Sequence, residues 1–477
     1  MIVNLESTYL EPLAQFESRP SDEILVPSVF KENFKSEIYT KVNQLQSTGP
    51  KRIGIVFSGG PAPGGHDVLV GILSNLRDGD ELIGFIGGFG GVLLGRYFLI
   101  DPMDAHFLEG SAGFDYLGTD RTKISTTEHF NTIASLVDDL ALDVFMVVGG
   151  DDSNTNATYL AKALGTRCQV IGIPKTIDGD LRFGSLLPVS FGFHTATHHY
   201  ATMVNNLAID ALATEKYFHF IKLMGRSASY VTLEVAYQTF PHACLLSEEV
   251  VDSKWRLMDV VDYFSSIVKD RIAMGRPFGV FIFPEGLSEV VPELKAYLDG
   301  DDRQLNAFYQ SIQCDAPMVF KPLDEDGHGN KNLSALPLER ILMDCVVAYV
   351  KSLAGINLMA QAHFFGYEGR SCKPTHFDSL YSKLLGKTAY ELALSNANGV
   401  MVGCEISDND VRPCGFPLPA MMGYDSVKKR WIIKKSLVDV SQNDYLEYRQ
   451  QKKSWVSTDP GFPRTNLYDY PKCVVFN

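Results

Sequence analysis

This sequence of 477 residues has no two cysteines at a spacing typical of a metal-binding or redox motif. Its eight cysteines are scattered, and no two have the CxxC spacing that many zinc and redox sites use. They lie at positions 168, 244, 314, 345, 372, 404, 414 and 473. This distribution argues against a disulfide framework and a structural zinc site, and it predicts a protein of a reducing compartment.

Long apolar runs and an excess of positive charge are also missing. No run approaches the ~18–20 apolar residues that a membrane-spanning helix needs. Residues 1–12, with Glu6 and Glu11, do not have the pattern of a signal peptide. The formal net charge is −14. We therefore expect a cytoplasmic protein that binds neither nucleic acid nor an anionic membrane, and that concentrates its Lys and Arg locally if it binds phosphates.

Apolar, strand-like segments alternate with helical patterns over most of the chain. These segments are 53–57, 82–86, 144–148, 170–173, 218–223, 278–283 and 356–365. The alternation is typical of parallel sheets that are covered by helices on both faces. We predict two Rossmann-like three-layer α/β/α lobes with parallel-rich sheets. Ligands bind such sheets at the carboxyl ends of the strands, so the active site is expected in the cleft between the lobes.

The chain exceeds the size of one ordinary domain, so we also predict a division into units. Residues 1–50 form an N-terminal extension that ends at Gly49-Pro50. Residues 51–190, completed by about 371–430, form the first α/β lobe. Residues 191–370 form the second lobe, and 431–477 a C-terminal segment. The polar stretch 300–332, with its acidic, Gly-rich part 324–329, is expected to be a loop or an insertion.

The turn GGDD at 149–152 follows the most apolar of the strand-like segments. Two neighbouring carboxylates repel each other, which suggests that a cation, a phosphate or a reacting hydroxyl is held there. Asp151 or Asp152 alone could be a helix cap, but two carboxylates are more than a cap requires. Mg²⁺ fits, because it prefers one or two carboxylates together with substrate phosphates. Residues 153–156 are expected to cap a helix over 157–164.

A second acidic turn, PKTIDGD at 174–180, combines a cation, a hydroxyl and two carboxylates. In an extended segment Thr176, Asp178 and Asp180 would share one face. A carboxylate here could take the proton of an attacking hydroxyl, and Lys175 could neutralise charge on a transferred group. The alternative is an ordinary acidic turn with a surface salt bridge.

Glycines and basic residues supply the remaining candidates. The segment SGGPAPGG at 58–65 offers unobstructed backbone N–H groups before a helix, which suits an anion, although such glycines are often only a tight turn. The basic candidates are Arg121 in the segment 118–123, Arg226 and Arg370. Each guanidinium could bind phosphate oxygens in a bidentate way, and each could equally be a surface residue or part of an ion pair.

Four ordered motifs, taken together, resemble the phosphofructokinase family, and in particular its long, plant-like, pyrophosphate-dependent group. They are GGDDSNTN at 149–156, PKTIDGDL at 174–181, MGR at 224–226 and FFGYEGR at 364–370. The resemblance spans roughly residues 50–390. It implies Mg²⁺-dependent, reversible transfer of a phosphoryl group from pyrophosphate to the carbon-1 hydroxyl of fructose 6-phosphate.

The resemblance also implies roles for individual residues. Asp178 matches the general base, Asp180 assists it, and Thr176 and Lys175 contact the transferred phosphate. Asp151 matches the Mg²⁺-associated carboxylate. Asp152 stands where ATP-using relatives carry Gly, and with Lys175 it marks the pyrophosphate users. The substrate-binding positions are Gly60, Arg121, Met224, Gly225, Arg226, Glu285, Tyr367 and Arg370. The resemblance also makes the lobe 51–190 the phosphate-donor-binding lobe and the lobe 191–370 the sugar-phosphate-binding lobe.

Some positions depart from the family pattern. ATP-using bacterial relatives place an Arg seven residues before the Met of the MGR motif and donate it to a neighbouring subunit. Here that position is Tyr217, and the adjacent Lys216 is the candidate substitute. A homodimer or a higher oligomer is therefore expected. The residues after about 400 receive no site assignment, and an ATP-dependent kinase and a non-catalytic regulatory subunit remain as alternatives.

Overall fold

The computed structural model describes residues 2–44, 49–315, 323, 331–407 and 410–458 of the chain. The acidic, Gly-rich segment 324–329 and Cys473 lie outside the described residues. The described part contains two α/β lobes, each with its own sheet, together with a short hairpin and a C-terminal helix.

The first lobe is built on a nine-stranded sheet of order β1-β2-β13-β12-β7-β6-β3-β4-β5. Its strands are β1 (Ala14–Pro20), β2 (Glu37–Gln44), β3 (Arg52–Phe57), β4 (Glu81–Phe85), β5 (Tyr97–Leu99), β6 (Val144–Gly149), β7 (Gln169–Pro174), β12 (Val400–Ile406) and β13 (Val411–Pro417). The central strands from β12 to β4 are parallel, whereas the outer pairings are antiparallel. The parallel strands are apolar on both faces because helices cover both faces.

The helices of the first lobe follow this pattern. They are α1 (Ile2–Leu10), α2 (Gly65–Leu73), α3 (Gly88–Leu93), α4 (Ala105–Leu108), α5 (Thr127–Asp139), α6 (Asp151–Leu164) and α15 (His376–Leu394). Alternate residues of one strand enter different cores. Ile55 packs in the cluster that contains α2 and α15, and Val56 packs in the cluster that contains α5 and α6. The sheet is therefore the middle layer of three.

The second lobe has a four-stranded parallel sheet of order β11-β8-β10-β9. Its strands are β8 (Phe218–Leu223), β9 (Ala243–Cys244), β10 (Gly279–Pro284) and β11 (Ala360–Phe365). Its helices are α7 (Phe193–Thr214), α8 (Tyr230–Thr239), α9 (Ser247–Ser253), α10 (Leu257–Ala273), α11 (Leu287–Val290), α12 (Pro292–Leu298), α13 (Arg303–Ser311) and α14 (Leu338–Ala354). Ile221 and Ile282 belong to the same apolar cluster as Ile55, so one continuous core joins the lobes.

The predicted fold class of two α/β lobes is confirmed. The expected loop over 300–332 is wrong in part, because Arg303–Ser311 forms helix α13, which buries Phe308 and Tyr309 against α12 and α14. After β13 the chain forms the hairpin β14 (Met422–Asp425) and β15 (Arg430–Ile433), followed by helix α16 (Asn443–Trp455). None of the described helices is long and apolar enough to cross a bilayer.

Helices α2 and α15 cross at unusually close range, and two glycines make this possible. A Cβ on Gly71 would lie 2.1 Å from the carbonyl oxygen of Lys383, and a Cβ on Gly386 would lie 2.2 Å from that of Val68. Real Cβ atoms do not approach backbone oxygens so closely. The crossing therefore requires glycine on both helices.

We expect Gly386→Ala to lower the free energy of unfolding by about 1–3 kcal/mol, because the added methyl group forces the two helices apart in a filled core. Denaturant unfolding of the purified protein measures this loss. Gly49→Ala is the matched control, since a Cβ there meets nothing within 4 Å. Equal stability of the two variants would contradict the crossing as described.

Candidate active site

A cavity of about 450 Å³ lies between the lobes, at the carboxyl ends of their parallel strands. The first lobe contributes the turns that follow β3, β6 and β7, and the second contributes those that follow β8, β10 and β11. The lining residues with polar or charged side chains are Ser58, Arg121, Asp151, Asp152, Ser153, Lys175, Thr176, Asp178, Arg226, Glu285, Lys331, Asn332, Ser334, Tyr367, Arg370 and Lys435. The predicted motifs therefore meet at one place.

The Gly-rich turn after β3 borders the cavity with Gly59 and Gly60. Gly59 has φ +88°, a left-handed conformation that favours glycine. Its N–H donates to the carbonyl oxygen of Asp120 at 2.8 Å, which brings Arg121 beside the turn. The Oγ of Ser153 donates to the Oγ of Ser58 at 2.9 Å and ties the turn to the start of α6.

The first acidic turn differs from its prediction in one respect. Helix α6 starts at Asp151 with Gly150 as its N-cap, so residues 153–156 lie inside the helix and do not cap it. All four are buried instead, and Nδ2 of Asn154 donates to the carbonyl oxygen of Gly149 at 2.7 Å. Both Asp151 and Asp152 occupy the first helical turn, where the helix dipole favours negative charge.

The second acidic turn is not extended, so Thr176, Asp178 and Asp180 do not share one face as predicted. Oγ1 of Thr176 accepts the N–H of Asp178 at 3.0 Å, and Gly179 has φ +70°, which bends the chain. Thr176 and Asp178 line the cavity, whereas Asp180 is buried behind them. Burial raises the pKa of Asp180 to about 7, against the opposing effect of Lys435.

Asp178 differs from the other carboxylates of the site. Within the described part of the chain, its carboxylate makes no hydrogen bond and no ion pair. Asp151 and Asp180, in contrast, both lie within ion-pair distance of Lys435. A carboxylate that faces the cavity without a protein partner can accept a proton from a bound hydroxyl group.

Lys175 is a buried ammonium at the centre of the cavity floor. Its Nζ donates to the carbonyl oxygen of Gly60 at 2.8 Å, so it links the second acidic turn to the Gly-rich turn. Burial lowers its pKa to about 8, and the nearby Arg370 acts in the same direction. A cation in such a desolvated position interacts strongly with an anion that enters the site.

The second lobe places Arg226 and Glu285 opposite these turns. The Arg226 guanidinium donates to Oε1 of Glu289 at 2.6 Å and to the carbonyl oxygen of Lys331 at 2.9 Å. Glu285 is buried and accepts the hydroxyl of Ser334 at 2.7 Å. Burial raises the pKa of Glu285, which favours its neutral form. The segment 331–334 is therefore held against the cavity from two sides.

The last motif closes the cavity between the lobes. The guanidinium carbon of Arg370 lies 3.4 Å from where a Cβ on Gly60 would be, so a larger residue at Gly60 would crowd it. The same guanidinium lies 5.3 Å from the ring centre of Tyr367, which is 52% exposed. A cationic group over an aromatic face is held by the charge distribution of the ring.

Besides Asp180, three further predicted site residues do not line the cavity. Met224 is buried, and its N–H donates to the carbonyl oxygen of Phe365 at 3.2 Å; the carbonyl oxygen of Gly225 accepts the N–H of Gly286. Both residues shape the turn that carries Arg226. Lys216 is exposed before the first residue of β8, at the opposite end of the strand from the cavity of its own chain.

Some residues of the site were not predicted from the sequence. Lys435 is the main one, because its Nζ lies 3.7 Å from Oδ2 of Asp151 and 3.6 Å from Oδ2 of Asp180. The segment 331–334 is the other. Neither lies in a recognisable motif, and Lys435 is one of two adjacent lysines after a short apolar strand. Only the folded chain brings them to the cavity.

The carboxylates at the cavity suit a Mg²⁺ ion that is held jointly with a substrate. No group of three or more His, Cys, Asp or Glu that could hold a metal occurs among the described residues. The side chain of Asp151 is 23% exposed at the cavity, with Asp180 behind it. Mg²⁺ typically takes one or two protein carboxylates and completes its shell with phosphate oxygens and water. The residues present fit that arrangement.

Two α/β lobes that face each other across a cavity of carboxylates and cations match the arrangement of a phosphoryl-transfer enzyme. The chain belongs to the phosphofructokinase family, because the family model described as "Phosphofructokinase" matches residues 52–393.

Curated relatives extend over most of the chain. This chain is 37% identical to the pyrophosphate--fructose 6-phosphate 1-phosphotransferase of Treponema pallidum, over 89% of this chain and 81% of the relative. It is 38% identical to the protein of the same name from Entamoeba histolytica, over 89% of this chain and 85% of the relative. The solved structure of pyrophosphate-dependent phosphofructokinase from Nitrosospira multiformis shares the fold, with a TM-score of 0.59 at 15% identity, over 88% of this chain and 98% of that one.

Proposed function

We propose that the chain catalyses the reversible, Mg²⁺-dependent transfer of a phosphoryl group from pyrophosphate to the carbon-1 hydroxyl of fructose 6-phosphate, which yields fructose 1,6-bisphosphate and phosphate. The names of the relatives from Treponema pallidum and Entamoeba histolytica support this reaction. The observation that carries it to this chain is that Asp152, Lys175 and Asp178 line one cavity.

In this proposal Asp178 is the general base. Its carboxylate accepts the proton of the carbon-1 hydroxyl as the oxygen attacks the terminal phosphorus of pyrophosphate. Thr176 fixes the turn by accepting the N–H of Asp178, and it lines the cavity. Asp180 assists from behind, since its carboxylate, in the ionised form, adds to the negative field around the base. Phosphoryl transfer depends mostly on positioning and charge, so few groups are required.

Donor choice rests on Asp152 and Lys175. A carboxylate at position 152 fills the space that the α-phosphate of ATP would need and repels its charge, so it excludes the larger donor. Lys175 stabilises the leaving phosphate, which has no nucleotide to position it. The N–H group of Gly60 and the guanidinium of Arg121 border the same cavity and would bind the donor oxygens.

The second lobe would bind fructose 6-phosphate. Arg226 and Arg370 supply cations for the sugar phosphate, Tyr367 a ring and a hydroxyl, and Glu285 a hydrogen-bond partner for a sugar hydroxyl. Met224 and Gly225 shape the turn that presents Arg226. Lys216 is too far from this cavity to act in its own chain, so we propose that it serves a neighbouring subunit of a homodimer or higher oligomer.

Mg²⁺ would be held by Asp151 together with pyrophosphate oxygens. When bound, it would neutralise phosphate charge. The residues of the chain position the donor and the hydroxyl around it. We also propose a cytoplasmic location, because the seven cysteines among the described residues are free, as is typical of a reducing compartment.

Asp178→Asn should lower kcat by about 10²–10⁴-fold, because the amide keeps the shape of the side chain and cannot accept the proton. Steady-state assays with pyrophosphate, fructose 6-phosphate and Mg²⁺ measure this. Thermal unfolding and the KM for fructose 6-phosphate serve as controls and should change little. Activity within tenfold of the unmodified protein would rule out Asp178 as the base.

Asp152→Gly should weaken the use of pyrophosphate and introduce turnover with ATP, because the variant removes both the volume and the charge of the carboxylate. Asp152→Asn is the matched variant, since it removes the charge and keeps the volume. We expect ATP turnover to be higher in the Gly variant. If neither variant uses ATP, donor choice is determined elsewhere in the cavity.

A further inference from the structure

Residues 434–438, here called the strap, leave β15 and cross from the first lobe to the second. Hydrogen bonds hold the strap on both sides. The Ser436 N–H donates to the carbonyl oxygen of Asp180 at 2.7 Å. The Tyr230 hydroxyl donates to the carbonyl oxygen of Leu437 at 2.8 Å, and Oε1 of Glu248 accepts the N–H of Val438 at 3.1 Å. The backbone that follows Lys435 is therefore fixed at the edge of the cavity.

The strap directs one side chain into the cavity. Lys435 lines the cavity, and its Nζ lies 3.7 Å from Oδ2 of Asp151, 3.6 Å from Oδ2 of Asp180 and 3.4 Å from Oγ of Ser227. The neighbouring Lys434 is exposed and does not line it. Lys435 thus stands between the turn expected to face the donor and the turn that carries the base.

These distances leave the ammonium with unused hydrogen-bonding capacity. A normal N–H···O hydrogen bond spans roughly 2.7–3.2 Å, and each of the three distances is longer. An ammonium has three N–H donors. Lys175, in contrast, already donates to the carbonyl oxygen of Gly60 at 2.8 Å. A phosphate that enters beside Lys435 would find a cation whose donors are not committed to short bonds.

The charge of the cavity gives this ammonium a function. Asp151, Asp152 and Asp178 line the cavity, and Asp180 lies directly behind. A polyphosphate anion would be repelled by all of them. Cations on both sides of the anion reduce that repulsion more effectively than Lys175 alone.

We propose that Lys435 is a donor-binding residue whose ammonium contacts the oxygens of pyrophosphate, in the cavity that Lys175 also lines. The proposal rests on the proposed function, since pyrophosphate is the donor named there. It adds a site residue from a part of the chain to which no motif assigns a role.

Lys435→Met tests the proposal by removing the charge while keeping an unbranched side chain. We expect the KM for pyrophosphate to rise about 10- to 100-fold, because hydrogen bonds between charged groups are lost. The KM for fructose 6-phosphate should stay within about twofold. Lys434→Met is the matched control and should behave as the unmodified protein. Equal pyrophosphate KM values for the two variants would overturn the proposal.

A second variant separates donor binding from simple neutralisation of Asp180. If Lys435 only compensates that buried charge, Asp180→Asn in the Lys435→Met background should restore the binding of methylenediphosphonate, measured by calorimetry without sugar. We expect binding to remain weak in the double variant. Full restoration would show that Lys435 acts through Asp180 alone and would refute donor contact.

A measurement on the unmodified protein covers the case in which Lys435→Met does not fold. Reductive methylation followed by mass spectrometry reports the reactivity of Lys435 and Lys434 in the same peptide. We expect methylenediphosphonate to slow the labelling of Lys435 at least about fivefold and to leave Lys434 unchanged. Equal labelling of Lys435 with and without the probe would refute the contact. A protein that turns over no pyrophosphate at all would instead refute the proposed function.

Discussion

The site depends on one electrostatic constraint, which is that several carboxylates and a polyphosphate must share a single cavity. Two like charges about 4 Å apart repel each other by roughly 4 kcal/mol at an effective dielectric constant near 20. Asp151 and Asp152 follow one strand, and Asp178 and Asp180 follow the next. In a chain with a net charge of −14, cations must therefore come from several separate segments to the same place. Lys175, Arg370 and Lys435 meet this requirement from both lobes.

Buried polar groups on α6 hold the arrangement in position. Ser153 contacts Ser58 of the Gly-rich turn, and Asn154 binds the carbonyl oxygens of the turn that precedes its own helix. Thr155 accepts the N–H of Ile433 at 2.9 Å, two residues before Lys435. The first turns of one helix therefore fix three separate segments. Because each of these groups is buried, the loss of a partner would leave an unsatisfied polar atom.

The strands around the cavity could be predicted because the apolar pattern that specifies each strand lies within the strand itself. The apolar segments at 53–57, 144–148 and 218–223 became β3, β6 and β8 within one residue of the expected ends. The edge strand β1, with the sequence AQFESRP, has no such signal because solvent and neighbouring polar groups tolerate its charges. Lys435 was not predictable for another reason: its role comes from the path of the chain between the lobes, and residue types around it carry no pattern. The prediction that residues 153–156 cap a helix was wrong because Ser153, Asn154 and Thr155 bind groups outside the helix, and their composition alone does not distinguish the two uses.

The pairing of β12 between β7 and β13 has a consequence for the order of synthesis. Strand β7 ends at Pro174, whereas its neighbour β12 begins at Val400, and Glu391 accepts the N–H of Ala14 at 2.9 Å across almost the whole chain. The first sheet is therefore incomplete while the ribosome makes the second lobe. Until β12 and β13 have been synthesised, one edge of β7 stays unpaired and the sheet of the first lobe cannot be completed. Such long-range closure favours slow folding after release of the chain.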